Sequence, residues 1–302
     1  MALATRRPRR GGDCRNHFRF AFCCESFRFR CAFVAPPPPA RSENCRRSGH
    51  ARAGRFLRAQ FLFFPRVAGP VISVVIPALN EEEPIAEVVR ECLATGLPNE
   101  IIVVDNGSTD RTDERARTAG ARVVSAPRGY GRACAAGVAA LAPATEIVVF
   151  LDGDGSDVPA FIEQLVRPIQ EGRFDFVIGS RTRGRRERGS MNFQQIFAGR
   201  AAGFLLRLLY GVRYTDMCPF RAVGRASLDS LGMKEPTYGW NLEMQMRAAR
   251  AGLRILEVPV DHRCRTGGES KVSGTLRGTC VAGARILATL FRVATERSKG
   301  AI

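Results

Sequence analysis

Glu146-Ile147-Val148-Val149-Phe150-Leu151-Asp152-Gly153-Asp154 is the stretch that decides the fold. A run of β-branched and aromatic residues without polar alternation passes directly into two carboxylates one glycine apart. A strand with no polar side is buried on both faces, as in a parallel sheet sandwiched between helices. The same signal recurs upstream: Val71 to Ile76 is an apolar run that ends at Pro77, and Glu100 to Asp105 is another, followed by the turn residues Asn106-Gly107-Ser108. Helical patterns follow from about Glu82 to Leu93, from a cap at Thr109 or Asp110 to Ala119, and from Gly131 to Leu141, with a further strand from Ala121 to Ser125. This alternation predicts an α/β fold, a mostly parallel sheet covered by helices on both faces.

In such sheets ligands bind beyond the carboxyl ends of the strands. Three of those ends carry Pro77 to Glu82, Asp105 to Asp110 and Asp152 to Asp157. Helix capping accounts for Asp110 and Asp157, but poorly for Asp152 and Asp154 standing together before Pro159. Two carboxylates at i and i+2 can face one Mg²⁺ or Mn²⁺ whose shell is completed by ligand phosphates. An EF-hand would use Asp152, Asp154, Ser156 and Glu163, but Asp157 takes the place of its turn glycine and a β-type run precedes the loop. A dinucleotide fold fares no better: Gly129-Tyr130-Gly131 begins a G-x-G, yet Cys134 stands where the third glycine belongs.

Val75 to Glu82, Val103 to Asp110 and Asp152-Gly153-Asp154 together resemble the three signature blocks of family 2 glycosyltransferases of the GT-A fold, across about residues 70–275. Gly179-Ser180-Arg181, Asp216 to Arg221, and Arg263 through Gly268-Glu269-Ser270-Lys271 are similar to the dolichyl-phosphate mannose synthase branch, which moves a sugar from a nucleotide to a polyprenyl phosphate. The resemblance implies that Pro77, Ala78, Asn80 and Glu82 line the nucleotide pocket, that Asp105 contacts base or ribose, and that Asp152 and Asp154 hold metal and diphosphate. Ser156 departs from the branch, where a Gln commonly serves the metal, and is expected to act there through water.

Both substrates are anionic, so the site must neutralise a departing diphosphate and an arriving lipid phosphate. Metal on Asp152 and Asp154 serves the first. Guanidinium forks suit the second, and Arg181, Arg200, Arg221, Arg263 and Lys271 are the candidates. An ionised phosphate needs no strong general base; a hydroxyl acceptor would, and Asp216 and Glu243 are the available acids, without an assigned role. The expected reaction is inverting transfer of a hexose, from GDP-mannose or UDP-glucose, to a polyprenyl or dolichyl phosphate. A GT-A enzyme with a soluble or glycan acceptor is the alternative.

The charge points elsewhere at first. The chain has 302 residues and a formal charge of +17, which invites a nucleic-acid reading. Residues 1–68, however, hold 15 arginines against Asp13, Glu25 and Glu43, so +12 of the total belongs to under a quarter of the chain. That segment also carries Cys14, Cys23, Cys24, Cys31, Cys45 and the run Pro36 to Pro39, with neither apolar periodicity nor the order of a signal peptide. Its cysteines lack paired zinc-ligand spacing. It is expected to be a disordered extension or sequence upstream of the true start, dispensable for activity. A core start would need a codon now read as Val67 or Val71. Residues 69–302 carry +5 without a nucleic-acid motif, so no specific nucleic acid is expected there.

Residues 69–275 are thus read as the transferase domain and 276–302 as an amphipathic helix and tail. Residues 276–292 and 196–210 set arginines against Val, Ile, Leu and Phe and can lie in a membrane interface without spanning it. Cys92, Cys134, Cys218, Cys264 and Cys280 form no disulfide framework and fit a reducing compartment. The expected location is the cytoplasmic face of a membrane, as a peripheral protein.

Overall fold

The structure, a computed structural model, describes residues 69–267 and 288–296. The leader 1–68, Lys271 and residues 276–287 of the C-terminal segment lie outside the described residues. The first half alternates as the sequence dictates: β1 (Ile72–Ala78), α1 (Ile85–Ala94), β2 (Glu100–Asp105), α2 (Thr112–Thr118), β3 (Arg122–Ser125), α3 (Tyr130–Ala139) and β4 (Ile147–Phe150). There follow α4 (Ile162–Gln170), β5 (Phe176–Ser180), α5 (Phe193–Tyr210), β6 (Arg221–Gly224), α6 (Arg225–Leu231), α7 (Trp240–Arg250) and β7 (Ile255–Pro259). Residues 288–295 are helical.

The strands form one sheet in the order β3-β2-β1-β4-β6-β5-β7. Every pairing is parallel except those of β6, which runs antiparallel to β4 and β5. All seven residues of β1 are buried, as the absence of polar alternation requires. Ala-rich α3 lies close over β1 and β2: a Cβ on Gly137 would stand 2.4 Å from Val75 Cγ1. The register pairs Ala78 with Asp105, Asp105 with Ser125, and Val75 with Phe150. The carboxyl ends of β1, β2 and β4 therefore open onto one edge.

Helix α5 packs small residues inward and turns large apolar ones outward. Asn192 and Gln195 close a capping box at its start. Its inward face is small, with Gly199, Ala202, Gly203 and Leu206 buried, and a Cβ on Gly203 would lie 2.1 Å from the Tyr214 carbonyl oxygen. The large apolar side chains point outward: Phe193 is 80% exposed, Phe197 64%, Phe204 68% and Leu208 73%. The intervals of four, seven and four residues put these side chains on one stripe.

Candidate donor and acceptor site

At the sheet edge the loops enclose a cavity of about 740 Å³. Pro77, Ala78, Asn80 and Glu81 border it from the β1 loop, Asn106 from the β2 loop, and Arg128, Gly129 and Tyr130 from the start of α3. Asp152, Gly153, Asp154 and Ser156 border it from β4, and Arg181, Asn192, Gln195, Tyr238, His262 and Arg265 from the second half of the chain.

The first two loops are latched to each other. Asn80 sits at φ 51°, a left-handed conformation that Asn tolerates. From there its amide donates to Ser108 Oγ (2.9 Å) and its Oδ1 accepts from the Thr109 amide (2.8 Å). Glu82 and Asp105, expected at the nucleotide pocket, stand in the loops behind the cavity lining. Glu82 Oε2 accepts from the Arg111 amide (2.9 Å) and Asp105 Oδ1 from the Ser108 amide (3.1 Å). Both carboxylates hold the loop backbone on which the lining residues stand. Asn106 extends the latch, its Oδ1 accepting from the Gly129 amide (3.0 Å).

In the acidic loop, Asp152 Oδ1 accepts from the Tyr130 hydroxyl (3.1 Å), and the Asp152 amide donates to Asp157 Oδ2 (3.0 Å). Ser156 gives both its amide (2.9 Å) and its hydroxyl (2.6 Å) to Asp154 Oδ1, while Arg265 binds Asp154 Oδ2. The Ser156 hydroxyl, expected to serve a metal through water, is directed at Asp154. Burial, then the charges of Asp154 and Asp157, push the Asp152 carboxyl well above the usual range. Burial pushes Asp157 up to about 7. Burial works to raise Asp154 as well, but its bonds from Ser156 and Arg265 hold it below the ordinary value. Burial and Arg181 push His262 down to about 4, so it is neutral at pH 7. Asp157 Oδ1 and His262 Nδ1, both buried without a hydrogen-bond partner, lie 3.8 Å apart.

These residues fit a divalent cation. Three crowded carboxylates, one of them resisting ionisation through burial first and then through the other two, form a place where a cation relieves repulsion. Among the described residues no three His, Cys, Asp or Glu side chains form a closed metal cage. An oxygen site that takes part of its shell from ligand phosphates does not need one.

Of the arginines expected at an acceptor phosphate, only Arg181 borders the cavity. Its Nε and Nη2 each lie 2.8 Å from one oxygen of Asp216, and its amide donates to the same carboxylate (3.0 Å). Arg221 is fully buried, with Nε and Nη1 on the carbonyls of Pro219 and Asn241 and Nη2 on that of Cys218. Arg263 is forked onto Glu91 (3.0 and 2.7 Å) in a separate shallow cleft. Arg200 is exposed on α5 outside the cavity lining. The two acids without an assigned role are both committed. Asp216 is held below the ordinary range by Arg181 against the effect of burial. Glu243, with no exposure, accepts from the Lys234 and Glu235 amides (3.0 and 2.6 Å), Arg247 Nε (2.9 Å) and Arg292 Nη1 (3.0 Å).

Sequence reasoning passed over Arg128, Tyr130, His262 and Arg265. The available signal was Gly129-Tyr130-Gly131, discarded as an incomplete dinucleotide motif. Its glycines serve packing: a Cβ on Gly131 would stand 1.9 Å from the Glu235 carbonyl oxygen.

Residues 73–232 match the family model described as glycosyl transferase family 2. An uncharacterized glycosyltransferase of Mycobacterium tuberculosis is 38% identical over 221 residues, 72% of this chain and 96% of its own. A dolichyl-phosphate hexose transferase of Haloferax volcanii is 35% identical over 214 residues, 70% of this chain and 90% of its own. Among solved structures, glucosyl-3-phosphoglycerate synthase from M. tuberculosis, in complex with Mn²⁺, UDP and glucosyl-3-phosphoglycerate, superposes with a TM-score of 0.62 at 29% identity. That match covers 77% of this chain and 82% of the synthase.

Proposed function

The chain belongs to glycosyltransferase family 2, and on that premise we propose that it transfers a hexose, with inversion, from GDP-mannose or UDP-glucose to a polyprenyl phosphate at a membrane surface. Pro77, Ala78, Asn80 and Asn106 would take the nucleoside. Asp152 and Asp154 would hold Mg²⁺ or Mn²⁺, the ions found with UDP in the synthase structures. When bound, the ion supplies positive charge against the leaving diphosphate. Arg181, held in plane by Asp216, is the candidate for the acceptor phosphate, with Arg128 and Arg265 bordering the same cavity. Lys271, outside the described residues, stays in the proposed acceptor set on its motif alone.

The observation that carries the lipid acceptor is the junction of cavity and apolar stripe. Asn192 and Gln195 cap α5 and border the cavity, and Phe193 and Phe197 begin the exposed stripe in the same turns. Exposed Arg185, Arg186 and Arg188 precede it in sequence and exposed Arg200 falls between Phe197 and Phe204, a composition suited to an anionic membrane interface. No helix among the described residues is long and apolar enough to cross a membrane. The commitment of Asp216 and Glu243 to guanidinium partners also favours an acceptor that arrives ionised.

The second reading is a small phosphorylated acid as acceptor, favoured by the likeness to glucosyl-3-phosphoglycerate synthase. Incubating the full chain with Mn²⁺, labelled UDP-glucose or GDP-mannose, and polyprenyl phosphate separates them. The lipid reading expects label in the organic phase; label that stays aqueous and enters a hexosyl phosphoglycerate when 3-phosphoglycerate is supplied supports the second.

A further inference from the structure

A carboxylate cluster outside the acidic loop joins the last described helix to the donor cavity. Glu243 on α7 receives the Lys234 and Glu235 amides from the loop before it. Arg292, on helical residues 288–295, donates to Glu243 Oε1 and to Glu235 Oε2, both at 3.0 Å. Glu235 also accepts from the Thr237 hydroxyl (2.7 Å) and the Thr289 hydroxyl (3.0 Å). The 234–239 loop is thus held through Glu235 by Arg292 and through Glu243 by Arg292 together with Arg247.

The upper side of that loop rests on the donor site. The Pro236 carbonyl accepts from the Arg132 amide (3.1 Å), and the Glu235 and Pro236 carbonyls crowd Gly131 and Gly129 too closely for any side chain there. Tyr130, between those glycines, donates to Asp152 Oδ1 (3.1 Å). Tyr238, from the loop itself, borders the cavity.

We propose that Arg292 is a positioning residue for the donor site: it fixes the 234–239 loop through Glu235 and Glu243, and the loop fixes Tyr130 and Tyr238 against the nucleotide-diphosphate position. The reading of that cavity as a nucleotide site rests on the proposed function; the mechanical link rests on the hydrogen bonds alone. A charged fork serving two carboxylates cannot be replaced by a neutral amide, and a lysine restores charge without the fork.

The chain contains a single tryptophan, and Trp240 follows the loop directly, so its emission reports on the loop without labelling. The test compares Arg292→Gln, Arg292→Lys and Glu235→Gln in the full chain with Arg254→Gln, which breaks an exposed pair with Asp175 remote from the cavity. Two measurements are made: amide exchange, and the affinity for UDP or GDP with Mn²⁺ read by Trp240 emission. Arg292→Gln and Glu235→Gln are expected to speed exchange at 234–239 and 129–133 while β1, β2 and β4 keep their protection. They are also expected to weaken nucleotide binding by about tenfold, with Arg292→Lys intermediate. Unchanged exchange at 129–133, or exchange that rises equally throughout the sheet, overturns the proposal. Wild-type protein that binds neither nucleotide contradicts the donor assignment instead, and the exchange result then decides the positioning role by itself.

Discussion

Asp154 and Asp157 sit three residues apart in one loop, yet their surroundings drive them in opposite directions. Asp154 is held ionised by Ser156 and Arg265, so Asp154→Asn should keep the fold while lowering sugar transfer by about a hundredfold or more and weakening Mn²⁺-dependent UDP binding. Steady-state rates and a nucleotide titration check both parts. Asp157, pushed up to about 7 by burial, carries the opposite sign. Between pH 4 and 7 the folded chain keeps on Asp157 a proton that the unfolded chain has released. Its contribution to stability is therefore present at low pH and fades as pH rises through that window. Asp157→Asn keeps an oxygen for the Asp152 amide and has nothing to ionise. Its melting temperature, relative to wild type, should climb by roughly 5 °C between pH 5 and pH 8 without metal. A difference that is flat or falls with pH contradicts the assignment.

At the scale of an element, α5 shows how packing and function divide one helix. The small face permits close approach to the 211–216 segment, so Gly203→Ala, whose Cβ would meet the Tyr214 carbonyl at 2.1 Å, should lower stability by about 1–3 kcal/mol in denaturant unfolding. The exposed face packs on nothing among the described residues. Replacing Phe197 and Phe204 together by Ser should leave unfolding free energy within about 0.5 kcal/mol of wild type and abolish sedimentation with vesicles containing anionic lipid. The sequence made the helix legible but not its orientation. Its apolar residues outnumber what one face needs, and only the partner, Tyr214 with its neighbours, decides that glycine and alanine go inward. Strand β6 was missed for a related reason: Arg221-Ala222-Val223-Gly224 is short, begins with a charge, and becomes a strand because β4 and β5 flank it.

Across the whole molecule, the first half was legible because local and global signals agree there: apolar runs are strands, glycine and aspartate turns are strand ends, and those ends are the site. The second half contributes residues by contacts that no spacing announces. Arg221 and Arg263 are candidates for a phosphate on their charge and on the stretches that hold them, and the structure places one in the buried core and the other on Glu91. Tyr130 reaches the cavity from the start of α3, and His262 and Arg265 reach it from the one segment after β7. What emerges is an edge where carboxylates from β4 meet arginines from later loops, next to a helix that turns its aromatic side outward. The most direct test of the lipid-acceptor reading offers Mn²⁺-loaded full chain equal amounts of polyprenyl phosphate and 3-phosphoglycerate with ¹³C-labelled UDP-glucose or GDP-mannose, and identifies the product by NMR. The account predicts a β-linked hexosyl phosphate on the lipid; an α-linked product, or label found on phosphoglycerate alone, would contradict it.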